Sequence, residues 1–255
     1  MRPFRGIRLV TFDVLYTILT PRTPIHIQYA KHFRPHLGEL DPDRIKASFR
    51  LALEKVQKER PAYEQGKDAW WRDVIYQTAL GAGANEKALS SSLSPIVAGL
   101  MACFSSKEGY VAYEDVFPTL GHLSSKTKVR TAVVSNADSR IRSVLEDLGF
   151  PSTLAPIILS EEEGVEKPSP EIFMRALQKV NDANLRTEGF KPIEPRECVH
   201  VGDELMSDYH GALGAGMNAL LLLRKGGKKD VEIPPTVQTV RDLQGVLHWL
   251  RGEIR

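Results

Sequence analysis

The chain carries only two cysteines in 255 residues, Cys103 and Cys198, and they share no CxxC spacing. A disulfide framework or a thiolate zinc site is therefore not expected, and a reducing compartment is. Long hydrophobic runs are also missing. The run from Ile96 to Phe104, with Gly99 inside it, falls far short of a membrane span. Neither sign of charge dominates, since Lys plus Arg exceed Asp plus Glu by two (34 − 32). No broad basic field argues for nucleic acid, and neither nucleic acid nor a membrane is an expected partner. There is no internal repeat and no low-complexity segment. His32 and His36 stand four apart, but Pro35 between them predicts a broken helix and argues against a metal-binding pair.

What is present is the composition of an ordinary globular protein, 42% apolar and 26% charged. Its length suits one large domain or two modest ones. Arg2, Arg5 and Arg8 precede any acidic residue but run directly into a strand pattern, which reads as a solvated strand start rather than a targeting segment. Cytoplasm or nucleus is the expected location.

Five short aliphatic runs read as buried strands: Ile7–Asp13, Val129–Ser135, Ile157–Ser160, Cys198–Gly202 and Asn218–Leu223. They lack apolar–polar alternation, as parallel strands covered on both faces do. Helical patterns separate the last four. Ile141, Val144, Leu145 and Leu148 precede the stop signal Gly149, and Ile172, Phe173, Ala176, Leu177 and Val180 follow the turn Pro168-Ser169-Pro170. A final helix is expected from Val237, Val240, Leu243, Leu247 and Leu250. The alternation predicts an α/β fold with a doubly wound parallel sheet.

Residues 20–112, between the first two strands, are far more than a connection needs. They contain no convincing strand and four amphipathic stretches, near Ile25–Phe33, Asp43–Arg60, Asp68–Leu80 and Glu86–Phe104. The expected organisation is a core domain of residues 1–19 and 113–255 with an all-helical domain, 20–112, inserted after Asp13. An insertion there is a candidate lid over the carboxyl ends of the strands, where open α/β sheets bind ligands.

Asp13 ends an apolar strand, so its carboxylate should enter that crevice; alone, it could equally cap the following turn. Ser135 and Asn136 close the second strand and could bind an anion or cap the next helix. Lys167 lies between a strand and a helix and could be a plain surface lysine. Gly202-Asp203 ends the fourth strand and Asp208 follows it. Asp13, Asp203 and Asp208 offer hard oxygen ligands suited to Mg²⁺.

In order and placement these signals resemble the four motifs of the haloacid dehalogenase (HAD) superfamily. The resemblance extends through IRLVTFDVLYTIL (7–19), AVVSNADSRIRSVLEDLGF (132–150), SEEEGVEKPSPEIF (160–173) and HVGDELMSDYHGALGAGM (200–217). The inserted WWRDVIYQTALGAG (70–83) is similar to the cap of one subgroup in which a paired tryptophan recurs. For Trp70 and Trp71 themselves, packing in the core of the inserted domain is the expected role, rather than substrate stacking.

The resemblance implies a Rossmann-like core under a helical cap, and an Asp13 nucleophile that attacks a small, phosphorylated substrate to form a covalent ester. It implies Mg²⁺ bound by Asp13, the main-chain oxygen of Leu15 and Asp203, with Asp208 helping directly or through water. Lys167 and Ser135 would be catalytic, and Ser135, Asn136, Thr17 and Lys167 would hold the phosphate. Cations are needed, because two anions at about 4 Å repel by about 4 kcal/mol at an effective dielectric near 20.

One residue departs from the pattern. Most phosphatases of the superfamily have a second aspartate two positions after the nucleophile, to protonate the leaving group and activate water. Here that position is Leu15, and Tyr16 replaces the glycine usual next to it, predicting a different loop path. Three readings follow: a Mg²⁺-dependent hydrolase restricted to good leaving groups or using a replacement acid, a pseudoenzyme that binds phospholigands for recognition or regulation, or a 2-haloacid dehalogenase, whose halide needs no proton. Neither the substrate nor the oligomeric state is legible in the sequence.

Overall fold

The computed structural model describes residues 6–127, 129–224 and 232–253; Arg2 and Arg5 lie outside them. Strands β1 (Leu9–Phe12) and β2 (Leu19–Pro21) lead into four helices: α1 (Ile25–Leu37), α2 (Pro42–Glu59), α3 (Lys67–Gly81) and α4 (Glu86–Cys103). The chain continues through β3 (Tyr110–Ala112), α5 (Val116–Lys126), β4 (Arg130–Ser135), α6 (Arg140–Asp147) and β5 (Leu154–Leu159). Next come the short α7 (Ser160–Glu163), α8 (Pro170–Asn184) and β6 (Cys198–Gly202). A π-helical turn (Leu205–His210), α9 (Gly211–Gly214), β7 (Asn218–Leu222), β8 (Thr239–Val240) and α10 (Leu243–Leu250) complete it. No helix among the described residues is long and apolar enough to cross a membrane.

The main sheet has six strands in the order β5-β4-β1-β6-β7-β8, all parallel. Every residue of β1 and β6 is buried, which explains why these strands read as unbroken apolar runs. From β1 the chain runs to β4 on one side and later to β6 on the other. β1 is thus the point where strand order reverses, and its carboxyl end opens the crevice that such sheets use for ligands. Asp13, Ser135 and Asp203 follow or end these three adjacent strands. The α/β architecture with a doubly wound parallel sheet is the one the sequence pattern predicts.

The chain divides into two compact units: Met1–Thr20, Ala112–Asn136 and Phe150–Arg255 form one, Pro21–Val111 and Ala137–Gly149 the other. In the first, Leu9, Val134, Ile158, Phe173, Val199 and Leu221 are buried around the sheet. In the second, Tyr29, Phe33, Ile45, Ile75, Leu89, Ile96 and Leu100 form one apolar cluster, and Ala52, Val56, Trp70 and Val74 another. Capping starts the helices where the sequence allows: Asp41 accepts from Asp43 N with Pro42 at the first helical position, and Asn85 accepts from Ala88 N.

Three local expectations are corrected. α1 runs through Pro35 to Leu37; the proline falls in the last turn, where only one intrahelical donor is lost and the helix ends within three residues. Val237 and Val240 precede the last helix rather than belonging to it. Val240 lies in β8, paired with Leu222, and α10 starts only after Asp242, whose carboxylate accepts from Gly245 N. Strand and helix spacing coincide over so short a stretch. Two short strands also bound the inserted region: β2 and β3 pair in a separate sheet.

Candidate active site

Asp13 follows β1 directly, and its backbone N–H donates to Val201 O at 2.9 Å, carrying the ladder one residue past the strand. Its side chain is 7% exposed. Oδ1 accepts from Ser135 Oγ at 2.9 Å and from Lys167 Nζ at 2.6 Å. Lys167 Nζ also donates to Asp208 Oδ1 at 2.6 Å and to Val134 O at 3.0 Å, so all three of its donors are used. Asp208 in turn accepts from Glu204 N at 2.9 Å through Oδ2.

Sequence reading missed two members of this network. His200 points inward from β6, wholly buried, with Nε2 3.1 Å from Asp208 Oδ1 and Nδ1 2.8 Å from Thr11 Oγ1. Thr11 and His200 are register partners on adjacent strands. An ionised Asp208 can only accept, so Nε2 carries the proton and Nδ1 accepts from the threonine hydroxyl. The available signal was a single histidine inside the otherwise apolar strand Cys198–Gly202.

Burial sets the electrostatics. It depresses the His200 pKa, keeping the ring neutral. Burial also works against Lys167 and Asp208, but their mutual attraction overcomes it. The lysine is held protonated well above its ordinary value, and Asp208 stays ionised well below the usual carboxylate range. Asp13 is shifted upward, by burial first and by the Asp208 charge, against the opposing pull of Lys167.

Carboxylate oxygens of Asp13, Asp203 and Asp208 lie within 4.8 Å of one another, a donor set that fits a hard divalent cation. Gly202 makes the close approach of Asp208 possible, because a Cβ there would sit 2.2 Å from Asp208 Cγ. Asn136 braces the lysine with its side chain. Its Oδ1 accepts from Lys167 N at 2.7 Å and its Nδ2 donates to Lys167 O at 2.9 Å, clamping the backbone that presents the lysine.

The loop after Asp13 is tightly turned. Leu15 is half-buried and bridges to Leu19, while Tyr16 has φ 62°, the left-handed conformation that glycine adopts without steric cost. Thr17 O accepts from Arg224 Nε and Nη2 at 3.0 and 2.7 Å, and Arg224 is paired with Asp115. Thr17 Oγ1 is a buried polar atom with no hydrogen-bond partner among the described residues. Buried hydroxyls are rarely left so, and a loop next to a site is where such an atom is expected to serve a ligand.

The second unit has a polar centre of its own, in which Asp138 accepts from Arg140 N, Nε and Nη2 at 3.0, 2.8 and 2.7 Å and from Trp71 Nε1 at 2.7 Å. Trp70 is buried with Ala52, Val56 and Val74, and the partly buried Trp71 packs against the same cluster, its ring centroid 4.9 Å from that of Trp70, as expected for core packing.

The fold agrees with the comparisons. The haloacid dehalogenase-like hydrolase family profile matches residues 7–216. The chain belongs to the haloacid dehalogenase-like hydrolase family. It is 31% identical to the bovine haloacid dehalogenase-like hydrolase domain-containing protein 3 over 220 residues, 85% of this chain and 82% of that protein. The human protein of that name is also 31% identical, over 221 residues, 85% and 82% of the respective chains. Among solved structures, the defluorinating L-2-haloacid dehalogenase Rha0230 superposes with a TM-score of 0.73 at 17% identity, covering 96% of this chain and 95% of the other. YfnB from Bacillus subtilis, assigned as a HAD-hydrolase and solved bound to magnesium, gives 0.65 at 20% identity, covering 96% and 98%. At these identities the structural likeness speaks for the fold.

Proposed function

We propose that the chain is a Mg²⁺-dependent hydrolase of small phosphorylated metabolites, with Asp13 as nucleophile, restricted to substrates whose leaving group departs without a proton. The observation that carries this reading is the buried lysine clamp: one ammonium, 2.6 Å from both Asp13 Oδ1 and Asp208 Oδ1, beside a third carboxylate, Asp203.

Asp13 Oδ1 is occupied by Ser135 and Lys167, which leaves Oδ2 as the attacking oxygen. Oδ2 forms a bond to phosphorus as the bond to the leaving oxygen breaks, and that oxygen departs with the electron pair. Water then cleaves the aspartyl ester, releasing phosphate and restoring the carboxylate. Lys167 holds the nucleophile in position and offsets the approaching anion. The Thr17 hydroxyl would donate to a phosphate oxygen, and Ser135 would do so by turning its proton away from Asp13.

Asp13 and Asp203 would be the principal Mg²⁺ ligands, with the Leu15 main-chain oxygen as a third. Asp208 already accepts from Lys167 and His200 on Oδ1 and from Glu204 N on Oδ2, so it serves mainly to fix the lysine. When bound, the cation would supply Lewis-acid neutralisation of the phosphoryl charge.

Leu15 cannot protonate a leaving alkoxide or activate water, help worth roughly 10²–10⁴ in rate. Acetyl phosphate should therefore be cleaved at least about 100-fold faster than an alkyl phosphate under matched conditions. Equal rates would contradict the restriction and point to a replacement acid. Leu15 also supports a second reading, a phospholigand-binding protein built on the same pocket. Saturable Mg²⁺ and phosphate binding with no turnover on either substrate would select it.

A further inference from the structure

The Lys167 ammonium has three acceptors: Asp13 Oδ1 and Asp208 Oδ1, each at 2.6 Å, and Val134 O at 3.0 Å. The two carboxylates compete for it. Asp208 is the more deeply buried, 1% exposed against 7% for Asp13, and attraction between charges is less screened with depth. Left to that difference alone, the lysine would lean toward Asp208 and away from Asp13. It does not lean, since the two distances are equal.

Each of the two competing oxygens accepts one further donor. Asp13 Oδ1 accepts from Ser135 Oγ at 2.9 Å, and Asp208 Oδ1 accepts from His200 Nε2 at 3.1 Å. Both donors are neutral. An oxygen that divides its lone pairs between two donors holds either of them less tightly. His200 is wholly buried and cannot touch a substrate. Its Nδ1 meets Thr11 Oγ1 at 2.8 Å, and its ring stands edge-on to Phe173, with centroids 5.0 Å apart. With both nitrogens engaged and the ring packed, the Nε2 proton is aimed at one oxygen.

We propose that His200 is a positioning residue: by donating to Asp208 Oδ1, it keeps Lys167 shared between Asp208 and Asp13. It does on one carboxylate what Ser135 does on the other, and Thr11 holds its ring in place. Without that donor, Asp208 Oδ1 has the ammonium to itself. Nζ then moves toward Asp208, and the nucleophile loses the charge that fixes it and offsets an incoming anion. The kinetic consequence rests on the hydrolase reading; the placement of the lysine does not.

Crystal structures of the full chain and two variants, read beside acetyl phosphate turnover, test the proposal. His200→Phe keeps a ring without the donor, and pairing it with Thr11→Val leaves no orphaned hydroxyl. His200→Gln returns an N–H near the Nε2 position. In the Phe variant, Lys167 Nζ should stay on Asp208 but lie beyond hydrogen-bond distance of Asp13 Oδ1, roughly 3.2 Å. In His200→Gln it should remain on both. The Phe variant should lose about 10-fold in kcat with KM within about 2-fold, and His200→Gln should recover most of that loss. A lysine still bonded to Asp13 in the Phe variant would overturn the proposal. So would an equal loss of kcat in both variants, which would reduce His200 to packing. If the Phe variant does not fold, His200→Asn takes its place, because its amide reaches Thr11 but not Asp208. A displaced lysine with no turnover even in the unaltered chain would refute the hydrolase reading and uphold the positioning role.

Discussion

Two buried cations lie in opposite electrostatic surroundings. Lys167, in the sheet-bearing unit, is shared by Asp13 and Asp208, and Asp203 stands within reach of both. Among the described residues two carboxylates, Asp13 and Asp208, share one ammonium, an excess of one negative charge, while His200 stays neutral. Arg140, in the helical unit, is paired among the described residues with the one carboxylate of Asp138, so that pair is balanced. A balanced pair needs nothing further from solution. An unbalanced one invites a divalent cation and, with it, an anionic substrate. The surplus, rather than the burial, distinguishes the candidate active site from the ion pair of the helical unit.

The comparison breaks most sharply if its cations are removed. Lys167→Met leaves two buried carboxylates facing each other and should cost about 3–5 kcal/mol in urea unfolding. Mg²⁺ should restore part of that loss. An unchanged midpoint would mean that the cluster is solvated rather than buried.

Arg140→Met should destabilise by about 3 kcal/mol, because Asp138 keeps only its Trp71 and backbone donors. Adding Asp138→Leu should recover most of this, as replacing a balanced pair often does. The corresponding double change, Lys167→Met with Asp208→Leu, should recover less, since Asp13 remains. Equal recovery in both units, read as double-mutant cycles, would erase the distinction.

Acid titration gives a smaller effect of known sign. Burial raises the Asp138 pKa, but the Arg140 and Trp71 bonds outweigh it and hold the folded value below the ordinary 3.8. Its contribution to stability is therefore complete above that value and fades as pH falls below it. Asp138→Asn should flatten the pH dependence of stability in that window; an unchanged profile would assign the acid lability to other carboxylates.

The smallest effect concerns Tyr16. A non-glycine residue at positive φ costs about 1 kcal/mol, which the entropy cost of glycine largely offsets. Tyr16→Gly should then change stability by less than about 1 kcal/mol. A large loss would show that the tyrosine side chain holds the loop.

The sheet was legible because β1 and β6 are fully buried, and β4 and β7 are buried past their first residue, so these strands read as plain apolar runs. Asp13, Ser135, Lys167 and Asp208 meet in space because their strands are neighbours, which motif order anticipates. The rest depends on pairings that sequence distance conceals. His200 becomes visible only through Thr11, 189 residues away, and Arg224 only through the Thr17 carbonyl, 207 residues away. Trp71 can pack beside Trp70 and still donate to Asp138 because successive helical residues point about 100° apart. The end of the chain misled because β8 and α10 share an apolar spacing that fits one helix.

The most direct measurement is Mg²⁺-dependent turnover of acetyl phosphate by the full chain, beside Asp13→Asn purified identically. Turnover that requires Mg²⁺ and disappears in Asp13→Asn, with an unchanged fold, is the predicted result. Equal turnover in the two proteins would contradict the assignment of Asp13 as the nucleophile.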